Sequence, residues 1–156
     1  MRGAGADPAR GLLYGMLGRL TMIVRELMTR EPVYVRSTDR LATAIDLLNL
    51  LEIRHVPVLD ERRQLIGMLS DRDVRTAMGS HLVGSSEHQA RLESTVERAM
   101  SKCPSLLDDD DDVREAIDVM IERRVGAVPV TDAAGVLVGM VSYVDLLRML
   151  RHQLDD

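Results

Sequence analysis

Two serine–aspartate pairs have the types and spacing to do chemistry. Ser70 precedes Asp73 by three residues, Ser142 precedes Asp145 by three, and each pair follows an apolar run. An aspartate near a helix start can accept hydrogen bonds from both vicinal hydroxyls of a ribose, the logic of the acidic residue in dinucleotide-binding folds. A serine at the strand-to-helix turn puts a hydroxyl beside the helix's free N–H groups, where a phosphate can sit. Both residue types also favour helix starts for plainer reasons, as caps and as partners of the macrodipole. Arg72 lies inside the first pair, where its planar guanidinium suits phosphate. On an ordinary surface it would be a solvated ion.

The pairs stand 72 residues apart because the chain is duplicated. Laid over Val96–Leu150, Val24–Met78 matches without a gap and is identical at 16 of 55 positions. Ordinary residue usage would give about three or four. The shared residues include Met28/Met100, Pro32/Pro104, Asp39/Asp111, Val56-Pro-Val58/Val128-Pro-Val130, Asp60/Asp132 and Gly67-Met68/Gly139-Met140. Two copies are too few for a solenoid and suit a face-to-face pair.

Each copy predicts the same elements. A short amphipathic turn (Val24–Met28 in the first) leads to an extended piece, Pro32–Val35 or Pro104–Leu107. A helix starts at Thr38-Asp39 or within Asp110–Asp112, with Asp110 as its N-cap. Its apolar positions are Leu41, Ala44, Ile45 and Leu48, or Val113, Ala116, Ile117 and Met120. A hairpin follows, Val56–Leu59 with Leu65–Leu69, or Val128–Thr131 with Leu137–Val141. The closing helices are predicted over Asp71–Met78 and Tyr143–Leu150. The repeats occupy 23–79 and 96–152. Residues 80–95 are a connector with turn residues at Gly84-Ser85-Ser86 and a polar, helical lead-in at Glu87–Glu93. Residues 1–22 have no counterpart in the second copy. They read as an N-terminal extension, disordered or helical, or as sequence upstream of a start at Met22, with one short apolar patch at Leu12–Leu17.

Composition narrows the function classes. The chain is 46% hydrophobic but 2% aromatic, without Phe or Trp, so its core is aliphatic. A formal charge of −5 with scattered basic residues argues against nucleic acid. No apolar run reaches the roughly 18 residues of a membrane span, and no signal peptide is recognisable. Cys103 is the only cysteine, so a reducing compartment, the cytoplasm, is expected. No Walker lysine loop, Gly-x-Ser-x-Gly or neighbouring Cys–His pair points to an enzyme. His81, His88 and His152 lack ligand spacing. The run Asp108–Asp112 lacks the spaced ligands of a calcium loop and reads as helix-start chemistry. The ten methionines read as core filling.

The pattern resembles the CBS domain, named for cystathionine β-synthase. The resemblance rests on Met28–Pro32 and Met100–Pro104, on the Val-Pro-Val strands, and on Gly67-Met-Leu-Ser-Asp-Arg-Asp73 with Gly139-Met-Val-Ser-Tyr-Val-Asp145. It covers Val24–Leu150. It implies an α+β fold of two pseudo-symmetric β-α-β-β-α repeats packed sheet to sheet. It also implies clefts for adenosine ligands such as AMP, ADP, ATP or S-adenosylmethionine, with no cofactor required. By the same resemblance each cleft is crossed. One would combine Thr29, Val33, Ile53 and Arg54 with Ser142 and Asp145. The other would combine Ser101, Ser105, Val125 and Gly126 with Ser70, Arg72 and Asp73. Adenine is expected between aliphatic side chains and backbone.

The Asp73 cleft is expected to bind slightly better, because Arg72 lies in its own signature and the matching residue is Val144. His55 is expected to be a partly buried residue that reaches the other cleft at most. The acidic run is expected near a cleft, where it would weaken polyphosphate binding. A homodimer that signals to an effector protein is implied, with Val24–Met28 and the closing helices as its interface. The alternative is a structural dimerisation module whose clefts stay empty.

Overall fold

The computed structural model describes residues 22–79, 85–102 and 105–155. The expectations for residues 1–21, His81 and Cys103 lie outside the described residues.

Repeat 1 runs α1 (Val24–Leu27), β1 (Thr29–Arg30), β2 (Val35–Arg36), α2 (Leu41–Leu50), β3 (His55–Leu59), β4 (Leu65–Ser70) and α3 (Asp71–Met78). The connector helix is α4 (Ser85–Leu92). Repeat 2 opens with a 3-10 turn (Val96–Arg98) and continues with β5 (Ser101–Lys102), β6 (Leu107–Asp108), α5 (Val113–Arg123), β7 (Ala127–Thr131), β8 (Leu137–Ser142) and α6 (Tyr143–Asp155).

Each half builds a four-stranded sheet, but the repeats exchange their first strands. The sheet orders are β2-β3-β4-β5 and β1-β8-β7-β6. Thr29 pairs with Met140 across the seam, and Ser101 pairs with Met68. The helical turns cross with them. Val24 is buried in the repeat 2 core with Leu107, Ala116 and Val128, while Val96 is buried in the repeat 1 core with Leu41, Ala44 and Val56. The two sheets meet through Met68, Ala127 and Met140.

Glycine at 67 and 139 makes the crossing sterically feasible. A Cβ on Gly67 would stand 2.7 Å from Met100 Sδ and 2.8 Å from the Ser101 carbonyl oxygen, and one on Gly139 would collide with Met28 Sδ. The incoming methionine and strand need that room. This accounts for the recurrence of both the glycine and the methionine in each copy.

The shared aspartates are turn builders. Asp60 Oδ1 accepts from the Arg62 and Gln64 N–H groups, and Asp132 Oδ1 accepts from Ala134 and Val136. Asp39 Oδ2 accepts from Arg36 N–H at 2.8 Å, and Asp111 Oδ2 from Asp108 N–H at 2.7 Å.

That second turn corrects the expected helix starts, because the chain bends before it winds. The helices begin at Leu41 and Val113, and the N-cap in repeat 2 is Asp112, not Asp110. The extended pieces likewise pair only at Val35–Arg36 and Leu107–Asp108. Asp109 and Asp110 instead hold Arg25, at 2.8 and 2.6 Å. That ion pair keeps the Asp109 carboxyl below the usual carboxylate range and raises the Arg25 guanidinium. The acidic run therefore clamps α1, and it lines neither of the clefts described below. Of the Val24–Met28 edge, expected at a dimer interface, Val24 is buried within the chain, Arg25, Leu27 and Met28 are half-buried, and Glu26 is exposed.

Candidate functional site: two crossed clefts at the seam

Each closing helix starts on the last residue of a β-hairpin, and a capping box fixes its first turn. Ser70 Oγ donates to Asp73 Oδ2 at 2.6 Å, the Ser70 N–H donates to the same oxygen at 2.8 Å, and Ser70 Oγ accepts from the Asp73 N–H at 3.2 Å. Ser142 and Asp145 repeat this at 2.6, 2.8 and 3.4 Å. The capping reading of both pairs is thus observed. The cap occupies Oδ2 and most of the serine hydroxyl's capacity, while Oδ1 faces elsewhere. In the first pair Ser101 Oγ donates to Asp73 Oδ1 at 3.0 Å, across the seam. In the second, Arg148 lies 3.7 Å from Asp145 Oδ1.

Strand exchange brings the two sets of residues together. One cleft, of about 330 Å³, is lined by Thr29, Val33, Ile53, Arg54, Ser142 and Asp145 among others. The second, of about 340 Å³, is lined by Ser70, Arg72, Asp73, Ser101, Ser105, Val125 and Gly126 among others. Every residue nominated from the sequence lies in its expected group. Both volumes fall at the small end of the ~300–1,000 Å³ common for ligand pockets.

Several lining residues depart from expectation. Arg54 borders both clefts, not one. Arg148 gives the Asp145 cleft a cation that its signature position, Val144, lacks, and Arg75 joins Arg72 in the other. The two clefts are thus closer in charge than the signatures suggest. His55 and Tyr143 line both. The chain's few aromatics therefore do include one at the site, where an aliphatic surround was expected. Tyr143 replaces Asp71 of the first copy, a difference the repeat alignment already displays.

His55 is half-buried, and its ring sits close against Gly126: a Cβ there would be 2.8 Å from His55 Cε1. Burial pushes its pKa down, opposed by the nearby Asp71 and Asp73 and assisted by Arg54. The imidazole is the shared wall between the clefts.

The CBS domain family matches residues 24–80 and 96–152. The chain belongs to the CBS-domain family. A CBS domain-containing protein of Dictyostelium discoideum is 33% identical over 135 residues, spanning 84% of this chain and 92% of its own. Against two other relatives the chain spans 42% and 23% of their lengths. Among solved structures, CBSX2 in complex with AMP superposes with a TM-score of 0.72 at 21% identity, covering 83% of this chain and 97% of that one. A CBS domain pair in complex with 5′-methylthioadenosine and S-adenosylmethionine gives 0.70 at 22% identity, covering 85% and 98%. At these identities the two structures speak for the fold, an α+β pair of CBS repeats.

Proposed function

We propose that this CBS pair is a regulatory sensor that binds an adenosine ligand, AMP, ADP, ATP or S-adenosylmethionine, at the seam between its repeats. It carries no catalysis of its own. The observation that carries the reading is the paired aspartate geometry. A capping box holds each carboxylate by Oδ2; Oδ1 of Asp73 accepts from Ser101 of the other repeat, and Oδ1 of Asp145 lies 3.7 Å from Arg148 in a cleft that Thr29 and Ile53 of the other repeat also line. A ribose placed there would accept the orientation the cap imposes and find charge-assisted partners already in position. Arg54, with Arg72 and Arg75 or with Arg148, would meet phosphates, and Tyr143 offers a ring for the base. The AMP and S-adenosylmethionine complexes of the structural relatives favour the same ligand class. Binding would draw the repeats together along the exchanged strands, and an effector protein would read the altered packing. A homodimer in the cytoplasm is the working form in this reading, and sedimentation across concentration tests its assembly.

A second reading has one specific observation behind it. Ser101 already satisfies Asp73 Oδ1, so the Asp73 cleft is internally content without a ligand. A purely structural dimerisation module would look the same there.

Isothermal calorimetry separates the two. AMP, ATP and S-adenosylmethionine are titrated into wild type, Asp73→Asn and Asp145→Asn, substitutions that retain a side-chain acceptor for the cap. A hydrogen bond to a charged group contributes about 1.5–3 kcal/mol, so at least one variant should lose roughly tenfold or more in affinity. Unchanged affinity in both variants, or no heat with any ligand and no thermal shift, defeats the sensor reading. For scale, a ligand at about 100 times its Kd adds about 2.7 kcal/mol.

A further inference from the structure

The pseudo-two-fold gives every cleft residue a mate 72 positions away, and at the wall between the clefts the mates are unlike. Arg54 matches Gly126, His55 matches Ala127, and Tyr143 matches Asp71. Arg54, His55, Ala127 and Tyr143 border both clefts. The wall therefore carries one arginine where symmetry would supply two.

Packing leaves no room for the second. A Cβ at position 126 would stand 2.8 Å from His55 Cε1, 3.1 Å from Nε2 and 3.5 Å from Tyr143 Cδ1. The imidazole fills the place where another side chain would have to begin. The backbone is fixed on both sides of the wall. The Arg54 carbonyl accepts from the Asp71 N–H at 3.0 Å, and the Gly126 carbonyl from the Tyr143 N–H at 3.0 Å. Arg54 itself is exposed and has no ion-pair partner among the described residues, so its guanidinium is available to either cleft.

The remaining cations are unevenly divided. Arg72 and Arg75 border the Asp73 cleft alone. The Asp145 cleft has only Arg148 of its own, and that side chain already lies 3.7 Å from Asp145 Oδ1. A phosphate monoester carries about −1.5 to −2 charge near pH 7. A single guanidinium can turn its fork to one such group or bridge two. In the first case the second phosphate loses its partner. In the second, one positive charge is divided between two anions that also repel each other. Either way the second phosphate gains less than the first.

We propose that Arg54 is a phosphate-positioning cation shared by the two clefts, so that a phosphate-bearing adenosine ligand in one weakens the binding of a second in the other. The clefts must take adenosine ligands, as proposed above, for this coupling to arise. Linkage makes the penalty the same whichever cleft fills first. A ligand without phosphate makes no demand on Arg54 and fills the clefts independently.

Calorimetry with AMP and with adenosine on the full chain tests it. Asp73→Asn and Asp145→Asn each weaken one cleft and so report the affinity of the other. In wild type the second AMP should bind at least about fivefold more weakly than those single-cleft affinities predict, the low end of common coupling between sites. Adenosine should follow two independent clefts. Arg54→Gln keeps the carbonyl that Asp71 uses, and should make the clefts independent for AMP. It should also cost the Asp145 cleft more affinity than the Asp73 cleft, which retains Arg72 and Arg75. A second AMP absent from wild type but present in Arg54→Gln is the same result at its strong limit. Three results overturn the sharing and leave the sensor reading standing. They are independent filling of wild type by AMP, a coupling that persists in Arg54→Gln or is equally large for adenosine, and a second AMP absent from wild type and Arg54→Gln alike. No binding of AMP or adenosine to any of these proteins defeats both.

Discussion

In Asp73 and Asp145 the two oxygens of one carboxylate have different partners. Oδ2 belongs to the capping box, whose loss typically costs about 1 kcal/mol. Oδ1 meets Ser101 in the first and Arg148 in the second, and under the proposed function it is the oxygen offered to ligand. Ser70→Ala and Ser142→Ala should therefore lower stability by about 1 kcal/mol each, read by chemical denaturation, and loosen ligand binding only indirectly, through a less rigid aspartate. His55 supplies a pH dependence. Burial depresses its folded-state pKa below the unfolded value of about 6.5, so the unfolded chain takes the proton first. Its contribution is fully present above pH ~6.5 and is lost as the pH falls through that value toward the lower folded pKa. The melting temperature of wild type should drop between pH 7.5 and 5.5 more steeply than that of His55→Gln. Parallel profiles would show that the imidazole is not the titrating group.

The helices and strands owe their arrangement to a few small contacts that recur in both copies. Gly67 and Gly139 are the places where an exchanged segment passes close to a hairpin, with a methionine sulfur filling the space a side chain would need. Gly67→Ala and Gly139→Ala should each destabilise by about 1–3 kcal/mol, the usual range for forcing atoms into a packed site. A melting temperature equal to wild type in either would mean that Met28 or Met100 yields freely. The acidic run belongs to the same scale. Its residues build a turn, cap α5 and grip Arg25, and so hold an element together.

At the scale of the molecule, exchange of β1 and β5 with their helical turns makes the two repeats one folding unit. Val24 completes the core of repeat 2, and Val96 that of repeat 1. Burying such a side chain contributes roughly 1.5–3 kcal/mol, and each is supplied by the other half. Thermal unfolding should accordingly be a single transition with equal calorimetric and van't Hoff enthalpies. Two resolved transitions would indicate that the repeats melt independently and that the exchanged segments contribute little.

Much of this was legible in the residues before any coordinates. The 72-residue repeat, the Val-Pro-Val hairpins and the Ser-x-x-Asp turns are local patterns, set by periodicity and by the backbone preferences of Gly, Pro, Ser and Asp. The grouping of the cleft residues came from family resemblance, which already contains the crossing. Residue spacing alone could not have supplied the crossing, because a two-residue strand such as Thr29–Arg30 carries no periodicity and Met140, the partner of Thr29, lies 111 positions away. For the same reason the reach of Arg54 and His55 into both clefts, and the entry of Arg148 into one, had no signature in the chain, and the Tyr143/Asp71 difference between the copies gave no sign that the ring borders both clefts. Those roles depend on which surfaces meet at the seam, and side chains distant in sequence are brought to that seam only when the two sheets bury Met68, Ala127 and Met140 between them.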